Sequence, residues 1–450
     1  MALRRWCVPF VVVALTAVGC SRSSSTTSSS TSTTSAGTSA GGTGAGDFGT
    51  LKAVCGPGNA TGATDQGVTD HDITVGTMAD PGAAAQPGLD QEIFDAAEAF
   101  VDWCNAAGGI LGRKLVVHKW DSKLTEVAPR MIQACQADFM LVGNGEALDA
   151  TGVEQRTKCK LPEIPTYDVS VQASTAALSV EPLPNTDYAS GLYAAYRHIA
   201  QADPAAAKHY AMLANQLQSI KDAAVKDRAG AEAAGFTTVY YDELPLLVDN
   251  WRPYAENIKD KGVQVFTMEN SVQGTAALFK ALTELAYKPK YALFNPNLYD
   301  PTFLQNAGDA LNGTTVLINT GFVPFELAST HPATKQYMDL VAQYAHAKPK
   351  ALGAQAWSAW LLFAESAKAC GSNLTRACVL DHAKSVPEWT GGGLHAPSHP
   401  GDATGRPSEC FLLVQATPSG FTVDTKLTQP NNGPFNCSPD NVKRLPGFPK

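Results

Sequence analysis

Between residues 72 and 122 the spacing of apolar positions changes twice. Ile73, Val75 and Thr77 alternate with Thr74 and Gly76, the period of a short strand. A Gly- and Pro-rich stretch, residues 80–88, interrupts that pattern. Ile93, Phe94, Ala97, Phe100, Val101 and Cys104 then recur at helical spacing, and Gly108-Gly109 ends the run, because glycine takes the left-handed cap conformation without a Cβ clash. Alternation resumes at Leu115. Strand, crossover helix and strand in so short a span predict a parallel sheet with a right-handed connection. Ligands of such sheets bind outside the carboxyl ends of the strands, which places residues 80–88 at a crevice.

The same alternation continues. Helix 126–137 leads to a strand over 139–143, and helix 152–157 to a strand over 164–168. A long helix is expected over 185–202. Strands follow at 208–214, 237–241, 263–268, 291–295 and 315–319. The helices between them are expected at 219–234, 251–261, 274–286 and 301–310. Helices come next at 333–346, 353–369 and 374–384. Residues 387–409 read as a Gly/Pro/His-rich loop, and residues 410–425 as a β-hairpin turning at Pro418-Ser419-Gly420.

The strand with its Pro/Gly loop, the helix after it, and above all the turn Asn105–Leu115 (NAAGGILGRKL) resemble the type I periplasmic-binding-protein fold. The branch most resembled is the leucine/isoleucine/valine-binding receptors of ABC importers. With less specific wording the resemblance runs from about residue 72 to about residue 423. It implies an α/β chain of two Rossmann-like lobes with parallel central sheets, joined by a three-strand hinge. Lobe 1 would comprise 72–180 and 322–400, and lobe 2 would comprise 181–321 and 401–430, with a C-terminal tail over 431–450.

Composition adds an address. Arg4 and Arg5 precede the apolar run 8–18, and Ala17-Val18-Gly19-Cys20 places small residues before a cysteine. This reads as a signal peptide over 1–19 ending in a lipobox, with lipid on Cys20. The pattern usually begins with Leu where Ala17 stands; a simple secretory signal cut nearby is the alternative. Residues 21–47 are almost wholly Ser, Thr, Gly and Ala, too polar to offset their ordering entropy, and form a tether. Residues 48–71 form an N-terminal extension. The protein is therefore expected outside the cytoplasm, anchored to the outer face of the cell membrane by its lipid alone. A formal charge of −8 makes nucleic acid or anionic lipid a poor partner.

Eight cysteines remain in the exported part, an even number that implies disulfides. They allow on the order of 100 connectivities. Cys135 and Cys159 each end a helix at the amino end of neighbouring strands, which pairs them. Cys370 and Cys378 flank one turn. Cys410 opens the late strand that the tail carrying Cys437 passes again. Cys55 and Cys104 remain, tying the extension to the first helix.

Motifs for catalysis are missing: no G-x-S-x-G, H-E-x-x-H or phosphate loop occurs. His395 and His399 form a loop pair, and Cys370, Cys378 and His382 lack a fourth ligand, so no metal and no cofactor are expected. Binding is better supported. Asp80 opens the first crevice loop. The resemblance implies that the next two loops hold a ligand carboxylate through hydroxyls and amides, at Asn144, Gly145, Glu146 and Ala147, then Tyr167, Asp168, Val169 and Ser170. Glu146 and Asp168 depart from that neutral pattern. They suit a ligand with an amine, an amide or several hydroxyls, unless both acids face solvent at the loop rims. In the second lobe the resemblance implies an aromatic wall and an acid for a ligand ammonium. Tyr299 would stack on the ligand, Glu269 or Asp300 would pair with a cation, and Asn297 would line the site. Asp300 also fits a helix N-cap before Pro301. Trp357 and Trp360 read as core.

These readings converge on a monomeric solute-binding lipoprotein, not an enzyme. It would close over a small polar solute and deliver it to an ABC permease served by a separate ATPase. A ligand sensor, an envelope interaction protein with a vestigial crevice, and a secreted hydrolase are the alternatives.

Overall fold

The computed structural model describes residues 44–184, 188–189, 192–402 and 404–445. The expected signal segment, Cys20 and nearly all of the tether lie outside the described residues.

The chain begins its alternation with β1 (Asp72–Ala79), α1 (Gln91–Ala107), β2 (Lys114–Asp121), α2 (Val127–Ala137), β3 (Leu141–Val142), α3 (Ala150–Lys158), β4 (Glu163–Ile164) and α4 (Val171–Ser174). The four strands form one parallel sheet in the order β2-β1-β3-β4. A second run follows: α5 (Tyr193–Ala202), β5 (Tyr210–Asn215), α6 (Gln218–Ala233), β6 (Thr238–Leu244), α7 (Arg252–Asp260), β7 (Val265–Glu269), α8 (Val272–Glu284), β8 (Tyr291–Phe294), α9 (Pro301–Ala307) and β9 (Thr315–Asn319). Helices α10 (Pro332–Leu340), α11 (Ala351–Cys370) and α12 (Arg376–Lys384) come next, and α11 packs on α1 of the first sheet. The chain ends with β10 (Cys410–Phe411), β11 (Leu413–Thr417), β12 (Gly420–Val423), α13 (Thr425–Thr428) and β13 (Asn436–Cys437). The second sheet has the order β12-β11-β9-β8-β7-β5-β6, parallel except where the hairpin β11–β12 adds antiparallel to β9.

Two elements differ most from the sequence pattern. The helix expected over 185–202 begins only at Tyr193; Tyr188 instead bridges to Arg444 of the tail. The strand expected over 164–168 stops at Ile164, because Thr166 and the residues after it turn away to meet the loops described below. The four disulfides join Cys55 to Cys104, Cys135 to Cys159, Cys370 to Cys378 and Cys410 to Cys437, the pairing expected.

The segments that pass between the sheets are tied to one another. Phe322 forms a bridge with His395, Val323 N donates to Leu394 O at 2.8 Å, and Ser398 Oγ donates to Pro182 O at 2.5 Å. An aromatic chain runs beside them. Ring centroids step from Phe421 to Tyr299 (4.6 Å), Phe325 (5.2 Å), Tyr337 (6.1 Å), Trp357 (5.6 Å) and Phe100 (5.1 Å). It links the hairpin edge of the second sheet to α1 of the first. Trp357 and Trp360 are both fully buried, as the sequence indicates.

His395 sits inside this hinge, not on its surface. Trp389 Nε1 donates to Ser358 Oγ at 2.8 Å, and His395 Nδ1 lies 2.8 Å from Ala396 O. The ring therefore donates at Nδ1 and accepts from the Ser358 hydroxyl at Nε2, also 2.8 Å away. Burial lowers its pKa from the usual 6.5 to about 4. The unfolded chain thus takes this proton first. The stability the neutral ring supplies is complete above about pH 6.5 and is lost as pH falls toward 4, by about 1.4 kcal/mol per unit. In pH-resolved melting, the advantage of the native chain over His395→Gln should shrink by about 3 kcal/mol across that window. A constant difference would place the ring in contact with water.

Candidate functional site

The carboxyl ends of β1, β3 and β4 release three loops that interlock through one side chain. Asp80, the first residue after β1, is fully buried. It accepts from Ser122 Oγ, from Leu124 N at 2.6 Å and from Ala147 N at 2.9 Å. Those donors come from the loops after β2 and β3, so Asp80 ties the loop after β1 to both. Asp80, expected to contact ligand, has its oxygens occupied here by three protein donors, and it fixes where residues 144–147 stand.

Asn144, Gly145 and Glu146 occupy the middle of this arrangement. Gly143 takes φ 64°, and a Cβ there would come within 2.7 Å of Trp360 Nε1, so only glycine lets the chain turn so close to α11. Asn144 Nδ2 donates to Glu163 Oε2 at 3.3 Å, while its Oδ1 makes no hydrogen bond. Gly145 packs under the Tyr167 ring, which a Cβ would approach to 2.7 Å. Glu146 is 4% exposed and its Oε1 is likewise without a partner. The rim reading is therefore corrected for Glu146: it points inward. Burial, with Glu163, Asp80 and Asp149 nearby, pushes its carboxyl well above the ordinary range, against the Asn144 amide.

The residues around it are committed to protein. Tyr167 donates its hydroxyl to Asp90 Oδ2 at 2.9 Å. Asp90 precedes α1 in the left-handed conformation, and burial with Glu92 and Asp80 raises its pKa strongly. Asp149 accepts from Ala150 N and Val169 N, each at 2.7 Å, and from Ser170 N at 3.1 Å. Ser170 caps α4 by accepting from Ala173 N at 3.1 Å. The Tyr167 and Ser170 hydroxyls, expected to meet ligand, are each bonded to protein here. Asp168 is half-buried beside Glu181, and burial with that second acid raises its pKa.

In the second sheet Glu269 ends β7 and accepts from Asn295 Nδ2 at 2.7 Å. Asp227 of α6 lies beside it, and burial with this neighbour raises the Glu269 pKa well above normal. Asn297 is half-buried, with Nδ2 3.4 Å from Asn270 O. Tyr299 is not an open stacking wall. It is 2% exposed, it donates to Glu326 Oε2 at 2.5 Å, and it accepts from Phe325 N at 2.9 Å. The ring expected to stack on ligand packs here with Phe322, Phe325 and Phe421 beside the hinge. One edge of its ring lines a cleft of about 270 Å³ with Phe325, Lys348 and Phe421, and none of that cleft's lining residues comes from the loops of the first sheet. Asp300 caps α9 by accepting from Thr302 N at 2.7 Å.

Two contacts that sequence reasoning missed join the loops of the two sheets. Ser219, in the first turn of α6, donates to Ala147 O at 2.5 Å. Lys350, at the start of α11, places Nζ 2.9 Å from Asp300 Oδ2 and 3.8 Å from Glu92 Oε2. Neither residue carries a motif. The only sequence signal for Lys350 is its position before a helix whose other residues are mostly apolar. The histidine and cysteine groups weighed for metal are otherwise engaged: His399 Nδ1 meets Pro387 O, and Cys370 and Cys378 are bonded to each other.

Comparison with known proteins agrees with this architecture. The family described as periplasmic binding protein matches residues 72–421. A fatty acid ABC transporter substrate-binding protein from Thermomonospora curvata has 16% identity, covers 81% of this chain and 95% of its own, and superposes with a TM-score of 0.68. A leucine-binding protein from Thermotoga maritima has 12% identity, coverage of 78% and 97%, and a TM-score of 0.64. A branched-chain amino acid substrate-binding protein from Streptococcus pneumoniae, in complex with isoleucine, has 15% identity, coverage of 78% and 99%, and a TM-score of 0.62. No curated protein sequence matches the chain. No helix among the described residues is long and apolar enough to cross a membrane. With two α/β sheets, crossing segments tied at a hinge and a family match over most of its length, the chain belongs to the periplasmic binding proteins, a family of extracytoplasmic solute receptors, and has their type I fold.

Proposed function

We propose that this protein is an extracytoplasmic lipoprotein that captures a small polar solute by hinge closure and delivers it to the permease of an ABC importer, with a separate ATPase. The observation that carries this reading is the meeting of strand-end loops from both sheets, through Ser219 and Ala147 and through Lys350 between Glu92 and Asp300. A solute stabilises closure only by touching both sides at once. The ligand set proposed is Asn144, Gly145, Glu146 and Asp168 from lobe 1 (72–180 with 322–400) and Glu269 and Asn297 from lobe 2 (181–321 with 401–430). Asp80, Tyr167, Ser170 and Tyr299 hold these in place. The lipid on Cys20 and the tether would keep the receptor at the membrane.

A thermal-shift screen over amino acids, amides, polyamines, sugars and fatty acids tests the reading. At least one solute at one hundred times its Kd should stabilise the fold by about 2.7 kcal/mol. A panel that leaves the melting temperature unmoved would favour an envelope interaction protein over a receptor.

A further inference from the structure

The names of the similar solved structures mention leucine, isoleucine and a fatty acid, and each of those solutes bears a carboxylate. The loops of the first sheet are built against one. Within and beside them stand five buried carboxyl groups, and four are answered by the protein, Asp90 through the Tyr167 hydroxyl. Asp80 has its three donors. Asp149 has backbone N–H groups. Glu163 Oε1 lies 2.7 Å from Arg156 Nη2, both side chains being almost wholly buried.

Among these fully buried acids only Glu146 has an oxygen left over; the half-buried Asp168 also has an unbonded Oδ2, but it lies against a second acid, Glu181. Glu146 Oε1 is buried without a hydrogen bond, and Asn144 Oδ1, two residues earlier on the same loop, is in the same state. Asn144 Oδ1 is an acceptor, and so is Glu146 Oε1 in the ionised state that a neighbouring cation favours, so a cationic group that completes them brings donors. The charged groups that act most strongly on Glu146 are further acids, Glu163, Asp80 and Asp149. An anion placed there would lie among acids. An ammonium brings three N–H donors and a positive charge, and it answers both oxygens at once.

We propose that the solute carries a protonated amine that docks on Glu146 and Asn144 at the carboxyl end of β3. This rests on the receptor reading above and names the chemistry of its solute. The solute is an amine without an opposing carboxylate at that end, such as a diamine or an amino alcohol.

Isothermal titration with putrescine, ethanolamine, leucine, glucose and a medium-chain fatty acid, on the native chain and on Glu146→Gln, tests it. Putrescine or ethanolamine should bind, and Glu146→Gln should weaken that binding at least tenfold, since a charge-assisted bond becomes a neutral one at nearly equal volume. Glu146→Asp, which keeps the charge on a shorter stem, should fall between the two. Equal melting temperatures of the three unliganded proteins separate lost affinity from lost folding. If Glu146→Gln fails to fold, the intermediate affinity of Glu146→Asp decides. Binding of leucine, glucose or the fatty acid with no response to the amines would overturn the inference and leave the receptor standing. Amine binding indifferent to Glu146→Gln would also overturn it. Silence from every solute would remove both.

Discussion

Arg156→Met should lower folding stability by about 3–5 kcal/mol, measured by urea denaturation. Arg156 is 1% exposed and Glu163 4% exposed. Arg156 Nη2 lies 2.7 Å from Glu163 Oε1, while Nη1 reaches Leu161 O at 3.3 Å and Ala177 O and Leu178 O at 3.4 Å. Removing the guanidinium leaves Glu163 buried among acids and frees the three carbonyls it served. Such a charge either binds a proton or forces the loop open. The double variant Arg156→Met, Glu163→Met should recover much of the loss, because apolar groups of similar volume carry no desolvation penalty. It would not recover solute affinity, since Glu163 also receives the Asn144 amide. A loss under 1 kcal/mol for the single variant would show that water reaches the pair.

Tyr299→Ala should cost about 3–5 kcal/mol, through the cavity it opens in the aromatic chain. The ring contacts Phe322, Phe325 and Phe421 at centroid distances of 5.7, 5.2 and 4.6 Å. Its hydroxyl is held between Glu326 and the Phe325 amide. Tyr299→Phe separates the two contributions. It keeps the ring and removes the donor to Glu326, whose carboxyl burial already pushes up, and it should cost about 1–3 kcal/mol. Because this ring lies where the second sheet meets the hinge, the alanine variant should also broaden the thermal transition. A native-like melting profile for Tyr299→Ala would return the residue to the crevice.

How far the site could be read in advance depended on the kind of residue. The loops were placed by strand polarity, since carboxyl ends of parallel strands carry the crevice whatever side chains they bear. Whether a side chain in a loop faces inward has no period to reveal it. Glu146 and Asp168 were equally suspect as acids in the resembling loops, and only burial separated them: both carry a buried oxygen without a hydrogen bond, but Glu146 is fully buried and Asp168 half-buried beside Glu181. Asp80 looked like a ligand because it opens the first loop. Its partners Ser122, Leu124 and Ala147 lie 42, 44 and 67 residues away, and only packing brings them to it. Asp300 fitted either a cap or a partner for a ligand cation; it caps α9, and its other oxygen lies 2.9 Å from the protein's own Lys350.

The chain by itself determined the order of strands and helices, because a period of two or of about 3.6 is written into the spacing of apolar residues and needs no distant partner. It also determined the disulfide pairing, since most of the cysteines stand at element ends whose neighbours that order already fixes. Tertiary structure alone decided which polar groups are satisfied. The contacts of Ser219 with Ala147 and of Lys350 with Asp300 join residues 72 and 50 positions apart, and a hydrogen bond forms only where atoms come within about 3 Å in suitable alignment. Hydrophobic spacing is a local property and survives in one dimension. Satisfaction of a buried acid is a property of everything folded around it.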